Sequence, residues 1–104
     1  MFSRLLIANR GEIACRIIQT AKRLGIETVA VYSEADRHAR HIRLSDHAVY
    51  LGPSSPAHSY LNIEALLQIA TQMRVDALHP GYGFLSESPL LAERCLQQNI
   101  TFIG

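Results

Sequence analysis

Apolar residues fall along this chain in two alternating rhythms. Leu5-Leu6-Ile7-Ala8 is a short unbroken apolar run, the mark of a strand buried on both faces. Asn9-Arg10-Gly11-Glu12 turns it. Ile13, Ala14, Ile17, Ile18, Ala21 and Leu24 then recur at helical spacing, with Arg16, Gln19, Thr20 and Arg23 on the opposite side. Gly25 stops that helix. Thr28-Val29-Ala30-Val31-Tyr32 is a second strand, rich in β-branched residues and closed by Ser33-Glu34-Ala35-Asp36. A β–α–β unit of about thirty residues calls for parallel strands and a right-handed crossover.

The pattern continues to the last residues. Residues 37–44 are basic and His-rich and predict one or two helical turns. Ala48-Val49-Tyr50-Leu51 is a third strand, followed by a loop at Gly52-Pro53-Ser54-Ser55-Pro56. Asn62 caps a helix carrying Ile63, Leu66, Leu67, Ala70 and Met73. Val75-Asp76-Ala77-Leu78 is a fourth strand, residues 89–96 a helix, and Ile100-Thr101-Phe102-Ile103 a fifth strand. The fold class is α/β: a Rossmann-like open parallel sheet of about five strands with flanking helices, one domain over residues 1–104. A chain that stops directly after a strand is expected to be the front piece of a longer protein.

Composition narrows the function classes. The net charge of +1 gives no argument for nucleic acid or an anionic membrane. No apolar run reaches the ~18 residues of a membrane span. Met1-Phe2-Ser3-Arg4 leads directly into a strand, without the parts of a signal peptide. Cys15 and Cys95 each fall on the apolar side of a helix and read as reduced core thiols. They suit the cytoplasm or another reducing compartment.

One stretch stands apart, His79-Pro80-Gly81-Tyr82-Gly83-Phe84-Leu85-Ser86-Glu87-Ser88. It joins a buried strand to a helix, where open α/β sheets place their ligands. Two glycines flank Tyr82, allow positive φ and let a ligand approach the backbone. Ser86 or Ser88 can cap the helix, Pro89 fits its first turn, and Glu87 lies where the helix dipole favours negative charge. A plain structural βα turn has the same pattern.

Other motifs are weaker. The first βα turn holds only Gly11 of the three glycines that a dinucleotide loop needs, and Glu12 would oppose a pyrophosphate. Glu34, at the end of the second strand, is what favours the alternative of a nicotinamide-binding domain. A stand-alone Rossmann-like binding or regulatory domain is another. His38 and His41 share a helix face but lack further ligands at metal spacing, so they are expected to be exposed and solvated. His79 reads as a hydrogen-bonded structural histidine. Arg16, Gln19, Thr20 and Arg23 form either a solvated face or one awaiting a partner's acids.

Four stretches together carry a resemblance: Leu6-Ile7-Ala8-Asn9-Arg10-Gly11-Glu12-Ile13-Ala14, Thr28-Val29-Ala30-Val31-Tyr32-Ser33-Glu34-Ala35-Asp36, Ser59-Tyr60-Leu61-Asn62 and His79-Pro80-Gly81-Tyr82-Gly83-Phe84-Leu85-Ser86-Glu87. In colinear order they closely resemble the start of biotin carboxylase, the ATP-grasp component of biotin-dependent carboxylases. The wording around Cys15 and Ser33 looks most like alpha chains of acyl-CoA carboxylases, of the methylcrotonyl-, acetyl- and propionyl-CoA type. The resemblance implies the domain that precedes the ATP-grasp module, in a ligase that makes carboxyphosphate from ATP and bicarbonate. That ligase then carboxylates N1′ of biotin on a carrier domain.

By the same resemblance, Tyr82, Gly83 and Phe84, supported by Gly81 and Glu87, face the cleft and shape the biotin site. Catalytic and metal-binding residues are expected beyond residue 104, so this stretch alone should be inactive. The implied cofactors are biotin on its carrier, with ATP and Mg for the full enzyme, none held tightly by this stretch. The implied partners are the ATP-grasp module of the same chain, the biotin carboxyl carrier domain and a carboxyltransferase subunit. The family's usual Ser-Glu-Asn reads Ser86-Glu87-Ser88 here. Some bacterial relatives form a symmetric dimer through charges on the first helix. Of the corresponding Arg16, Gln19 and Arg23, only Arg16 matches; Gln19 is uncharged, and Arg23 is basic where they carry an acid.

Overall fold

A computed structural model of the chain describes residues 2–104. The elements are β1 (Arg4–Ile7), α1 (Gly11–Arg23), β2 (Glu27–Ser33), α2 (Arg40–Leu44), β3 (His47–Gly52), α3 (Ile63–Gln72), β4 (Ala77–His79), α4 (Pro89–Gln97) and β5 (Thr101–Phe102). They form one five-stranded sheet in the order β3-β2-β1-β4-β5, with every neighbouring pair parallel. This is the open α/β sheet that the apolar runs predict.

Successive side chains of a strand point to opposite faces, so each strand divides its residues between two cores. Leu6, Ala8, Val29, Val31 and Leu78 face a cluster that includes Leu66, Ala70, Leu91 and Cys95 of α3 and α4. Leu5, Ile7, Ala30 and Ala77 face Ala14, Ile18 and Ala21 of α1. Cys15 and Cys95 are both buried and free. Among the described residues no helix is long and apolar enough to cross a membrane.

α1, α3 and α4 end in the same way. Gly25, Arg74 and Asn99 take positive φ, and the next residue turns its N–H back to the helix: Ile26 to Ala21 O, Val75 to Ala70 O, Ile100 to Cys95 O. Ile26, Val75 and Ile100 are buried, so each helix end delivers an apolar residue under the sheet. Val75 and Ile100 therefore close helices and precede β4 and β5, where the sequence pattern starts those strands. Leu24 differs too: it is exposed, because the chain reverses at Gly25 and Ile26 takes the core position.

The larger correction is His41, which is fully buried and not solvated. α2 packs against α1 and β2. The packing brings the His41 ring to the sheet, where Nε2 donates to Val31 O at 3.1 Å. Burial pushes its pKa below the ordinary value, and Nδ1 has no partner among the described residues. His38 is exposed, as expected.

Candidate functional site

In the sheet order, β1 lies between β2 and β4. The chain leaves β1 toward β2 and leaves β4 toward β5, in opposite directions. Such a switch point opens a crevice at the carboxyl ends of the strands. Two segments meet there, Asn9-Arg10 after β1 and the 81–84 turn after β4.

Asn9 is 2% exposed and ties the two together. Its Nδ2 donates to Pro80 O at 2.8 Å and to Tyr82 O at 2.6 Å. Its Oδ1 accepts the Arg10 N–H at 2.8 Å. Gly81 sits at φ +69°, and a Cβ there would lie 2.7 Å from Ile13 Cγ2 and 2.8 Å from Asn9 Nδ2. Both conformation and space therefore demand glycine. Gly83, at φ +66°, has open space where a Cβ would go. Phe84 follows at φ +41°, a region that a residue with a side chain rarely adopts.

The hydrogen bonding of the turn is one-sided. Tyr82 O accepts from Asn9, and Gly83 O accepts the Ser86 N–H at 2.8 Å. The N–H groups of Tyr82, Gly83 and Phe84 have no acceptor among the described residues. Exposed at the mouth of the crevice, the turn offers donors beside an aromatic ring that is 73% exposed.

Behind the turn lies a polar cluster, buried at Asp36 and Tyr60 and open to water at Arg10. Arg10 donates to Asp36 twice, each bond 2.6 Å. Tyr60 donates its hydroxyl to the same carboxylate at 2.8 Å and accepts the Ser33 N–H at 3.3 Å. The Arg10 guanidinium holds Asp36 well below the carboxylate range, at about 2, against burial that pushes it up; the Tyr60 hydroxyl helps. Burial and the adjoining carboxylate raise Tyr60 to about 12, so it stays a neutral donor. The Tyr60 ring stacks on Phe84, with centroids 5.0 Å apart and planes 16° from parallel.

The other sequence-derived residues separate. Tyr82 and Gly81 share a groove of about 470 Å³ with His79, Glu12, Ile13 and Arg16. Phe84 faces Tyr60 instead. Glu87 is exposed and precedes the α4 cap, which is Ser88, accepting the Leu91 N–H at 3.1 Å. Arg16, Gln19 and Arg23 lie exposed along α1, and only Arg16 lines the groove. His79 Nδ1 accepts the Gly81 N–H at 3.1 Å, and burial lowers its pKa, so the neutral ring carries its proton on Nε2. Glu34 pairs with Arg37 at 2.6 Å. Among the described residues no group of three His, Cys, Asp or Glu side chains could hold one metal ion.

Asn9, Asp36 and Tyr60 were missed by the sequence reading as supports of the turn. Their signal was present only indirectly, since all three fall inside the stretches that carry the family resemblance.

Fold and crevice together define an open α/β domain with an exposed, glycine-flanked turn at its topological switch point. Comparison with known proteins makes the assignment specific. The chain belongs to the family described as "Biotin carboxylase, N-terminal domain", matched over residues 1–104. It is 58% identical to biotin carboxylase 2 of Bacillus subtilis over 104 residues, all of this chain and 23% of that protein. It is 53% identical over 102 residues to the mitochondrial methylcrotonoyl-CoA carboxylase subunit alpha of Mus musculus, 98% of this chain and 14% of the relative.

A crystal structure of the biotin carboxylase domain dimer of Hydrogenobacter thermophilus 2-oxoglutarate carboxylase, in complex with MgADP, ADP and bicarbonate, superposes with TM-score 0.95 at 48% identity. The match covers all of this chain and 23% of that one. Kluyveromyces lactis urea carboxylase superposes with TM-score 0.97 at 47% identity, over 99% of this chain and 9% of that chain. This chain thus spans about a quarter or less of each of these proteins. Membership in this family sets aside the nicotinamide alternative, in keeping with a Glu34 engaged by Arg37.

Proposed function

We propose that this domain forms one wall of the biotin site in a carboxylase chain that uses ATP and bicarbonate to carboxylate biotin on a carrier domain. The observation that carries the reading is the 81–84 turn. It stands at the switch point with an exposed Tyr82 ring and free N–H groups, and both neighbouring carbonyls are already engaged. A turn of that polarity suits a ligand with a planar face and an acceptor oxygen, which a ureido ring has. Tyr82, Gly83 and Phe84 are the contact residues, Gly81 sets the entry of the turn, and Glu87 adds negative charge at its rim.

The groups that hold ATP and Mg belong to an ATP-grasp module following this domain in the same chain. A carrier domain brings biotin, and a carboxyltransferase takes the product onward. Relatives of mitochondrial and bacterial origin support the matrix in a eukaryote and the cytoplasm otherwise. The test is ADP release by the full-length carboxylase chain carrying this domain. It should depend on bicarbonate and be stimulated by free biotin, with labelled carboxybiotin formed. The 104 residues alone should do neither, since the sequence has no phosphate loop and the described residues hold no metal cluster to stabilise phosphoryl transfer. A full-length chain that cleaves ATP without carboxylating biotin would overturn the reading.

A further inference from the structure

Tyr60 is 2% exposed and joins two parts of the site from beneath. Its ring stacks on Phe84, and its hydroxyl is fixed on Asp36. Asp36 is locked to Arg10, which neighbours the Asn9 that grips the turn from the other side. The contacts close a ring: turn, Phe84, Tyr60, Asp36, Arg10, Asn9, turn. Within it Phe84 holds a left-handed backbone conformation at φ +41°. A side-chain-bearing residue keeps such a conformation only where its surroundings over-determine it. Phe84 is 37% exposed, so burial in a core does not supply that constraint. The flat contact with Tyr60 does.

We propose that Tyr60 is a positioning residue of the biotin site. Its ring holds Phe84 in the left-handed conformation and so sets the direction in which Gly83 and Tyr82 present their N–H groups. This rests on reading the 81–84 turn as a biotin-site wall. Without the aromatic face Phe84 relaxes toward negative φ and carries the preceding peptide with it. Displacements near 1 Å in a reacting complex cost about a hundredfold in rate. The hydroxyl bonds orient the ring, but the ring itself is what Phe84 needs.

The experiment is steady-state kinetics of the full-length carboxylase chain, with free biotin and ATP varied separately, for Tyr60→Phe, Tyr60→Leu, Phe84→Ala and the Tyr60→Leu/Phe84→Ala double variant. Tyr60→Phe keeps the face: biotin kcat/KM should stay within about twofold, although Tm falls with the lost hydroxyl bonds. Tyr60→Leu should lower biotin kcat/KM by about tenfold or more while the KM for ATP moves less than about twofold. The double variant should be no worse than the poorer single, because both remove one contact.

Equal losses toward biotin and ATP, a Tyr60→Phe chain as impaired as Tyr60→Leu, or additive effects in the double variant would each overturn the proposal. If Tyr60→Leu does not fold, Phe84→Leu removes the stack from its exposed partner, and an unchanged biotin kcat/KM there overturns it. An unsubstituted chain that carboxylates no biotin overturns the functional reading and this proposal together. A carboxylating chain in which Tyr60→Leu is indistinguishable from it overturns only the role of Tyr60.

Discussion

Asn9 and Tyr82 lie 73 residues apart, yet the Asn9 side-chain amide donates to the Tyr82 carbonyl at 2.6 Å. The same amide donates to Pro80 O at 2.8 Å, so one buried nitrogen uses both its hydrogens on a single turn. The bond is available because β1 and β4 are neighbours, with Ile7 opposite His79.

Replacing Asn9 should therefore damage the turn according to the chemistry of the substitute. Asn9→Asp turns a donor into an acceptor that faces two carbonyls, with little water to screen it. Its expected cost is about 2–4 kcal/mol. Asn9→Ala only vacates the site and should cost about 1–3 kcal/mol. Urea denaturation ranks the two; an Asp variant as stable as the Ala variant would show that the amide hydrogens carry little.

Gly81 and Gly83 share positive φ but not their surroundings, and this sets opposite expectations. Gly81→Ala drives a Cβ into Ile13 and Asn9, so it should lower Tm well beyond the roughly 1–2 kcal/mol of a left-handed alanine. Gly83→Val meets open space and should cost the fold about 1–3 kcal/mol. In the full-length chain it should nevertheless lower carboxylation of free biotin by about a hundredfold, because the Tyr82 and Gly83 backbone shifts. ATP binding, read from the Tm increment with ATP, should persist. Near-normal carboxylation by Gly83→Val would reduce the turn to a structural connection.

The ion pair behind the turn is lopsided: Asp36 is almost fully buried, while about half of the Arg10 side chain reaches water. Removing one partner of a buried pair is costly mainly through the charge left behind. Arg10→Met strands the Asp36 carboxylate and should cost about 3–4 kcal/mol. Asp36→Asn leaves a guanidinium that solvent can reach and should cost about 1–3 kcal/mol. Equal losses, measured by chemical denaturation at neutral pH, would mean that Asp36 is better solvated than its surroundings indicate.

Histidine and carboxylate titrations should give stability a two-stage dependence on pH. The pKa values of His41 and His79 are lowered in the fold, His41 and His79 both by burial. The unfolded chain therefore binds protons first, and stability should fall as pH drops below about 6.5. Asp36 is lowered from 3.8 to about 2, so its contribution is present above pH 3.8 and is lost as pH falls toward 2. That loss is on the order of 2 kcal/mol. Denaturation midpoints from pH 8 to 2 test both stages. His41→Gln keeps an N–H for Val31 O but cannot titrate, so it should flatten the upper stage. An unchanged slope would assign that stage elsewhere.

Local rules made most of the fold legible. The apolar runs locate five strands, Asn62 and Ser88 cap the helices that follow them, and Gly25 ends the first helix. The glycines around Tyr82 marked the left-handed turn because positive φ belongs to a residue and its immediate neighbours. Arg74 and Asn99 perform the task of Gly25 without being glycine, which is why the starts of β4 and β5 are displaced from the pattern. His41 escaped the reading because a basic, His-rich stretch looks solvated until a helix and a strand close around it.

The sequence by itself determined which segments become strands and helices, that the strands run parallel, and that a turn with two glycines joins the fourth strand to the helix after it. Each of these depends on spacing within a few residues, where side-chain period and backbone preference act. Only the tertiary structure decided that Asn9 grips that turn, that Tyr60 stacks on Phe84, and that Phe84 and Tyr82 face different ways. Those contacts join residues 24 and 73 positions apart. They exist because the sheet order sets β1 beside β4, where each buried polar group must find its partner among whatever side chains the fold brings within hydrogen-bonding distance.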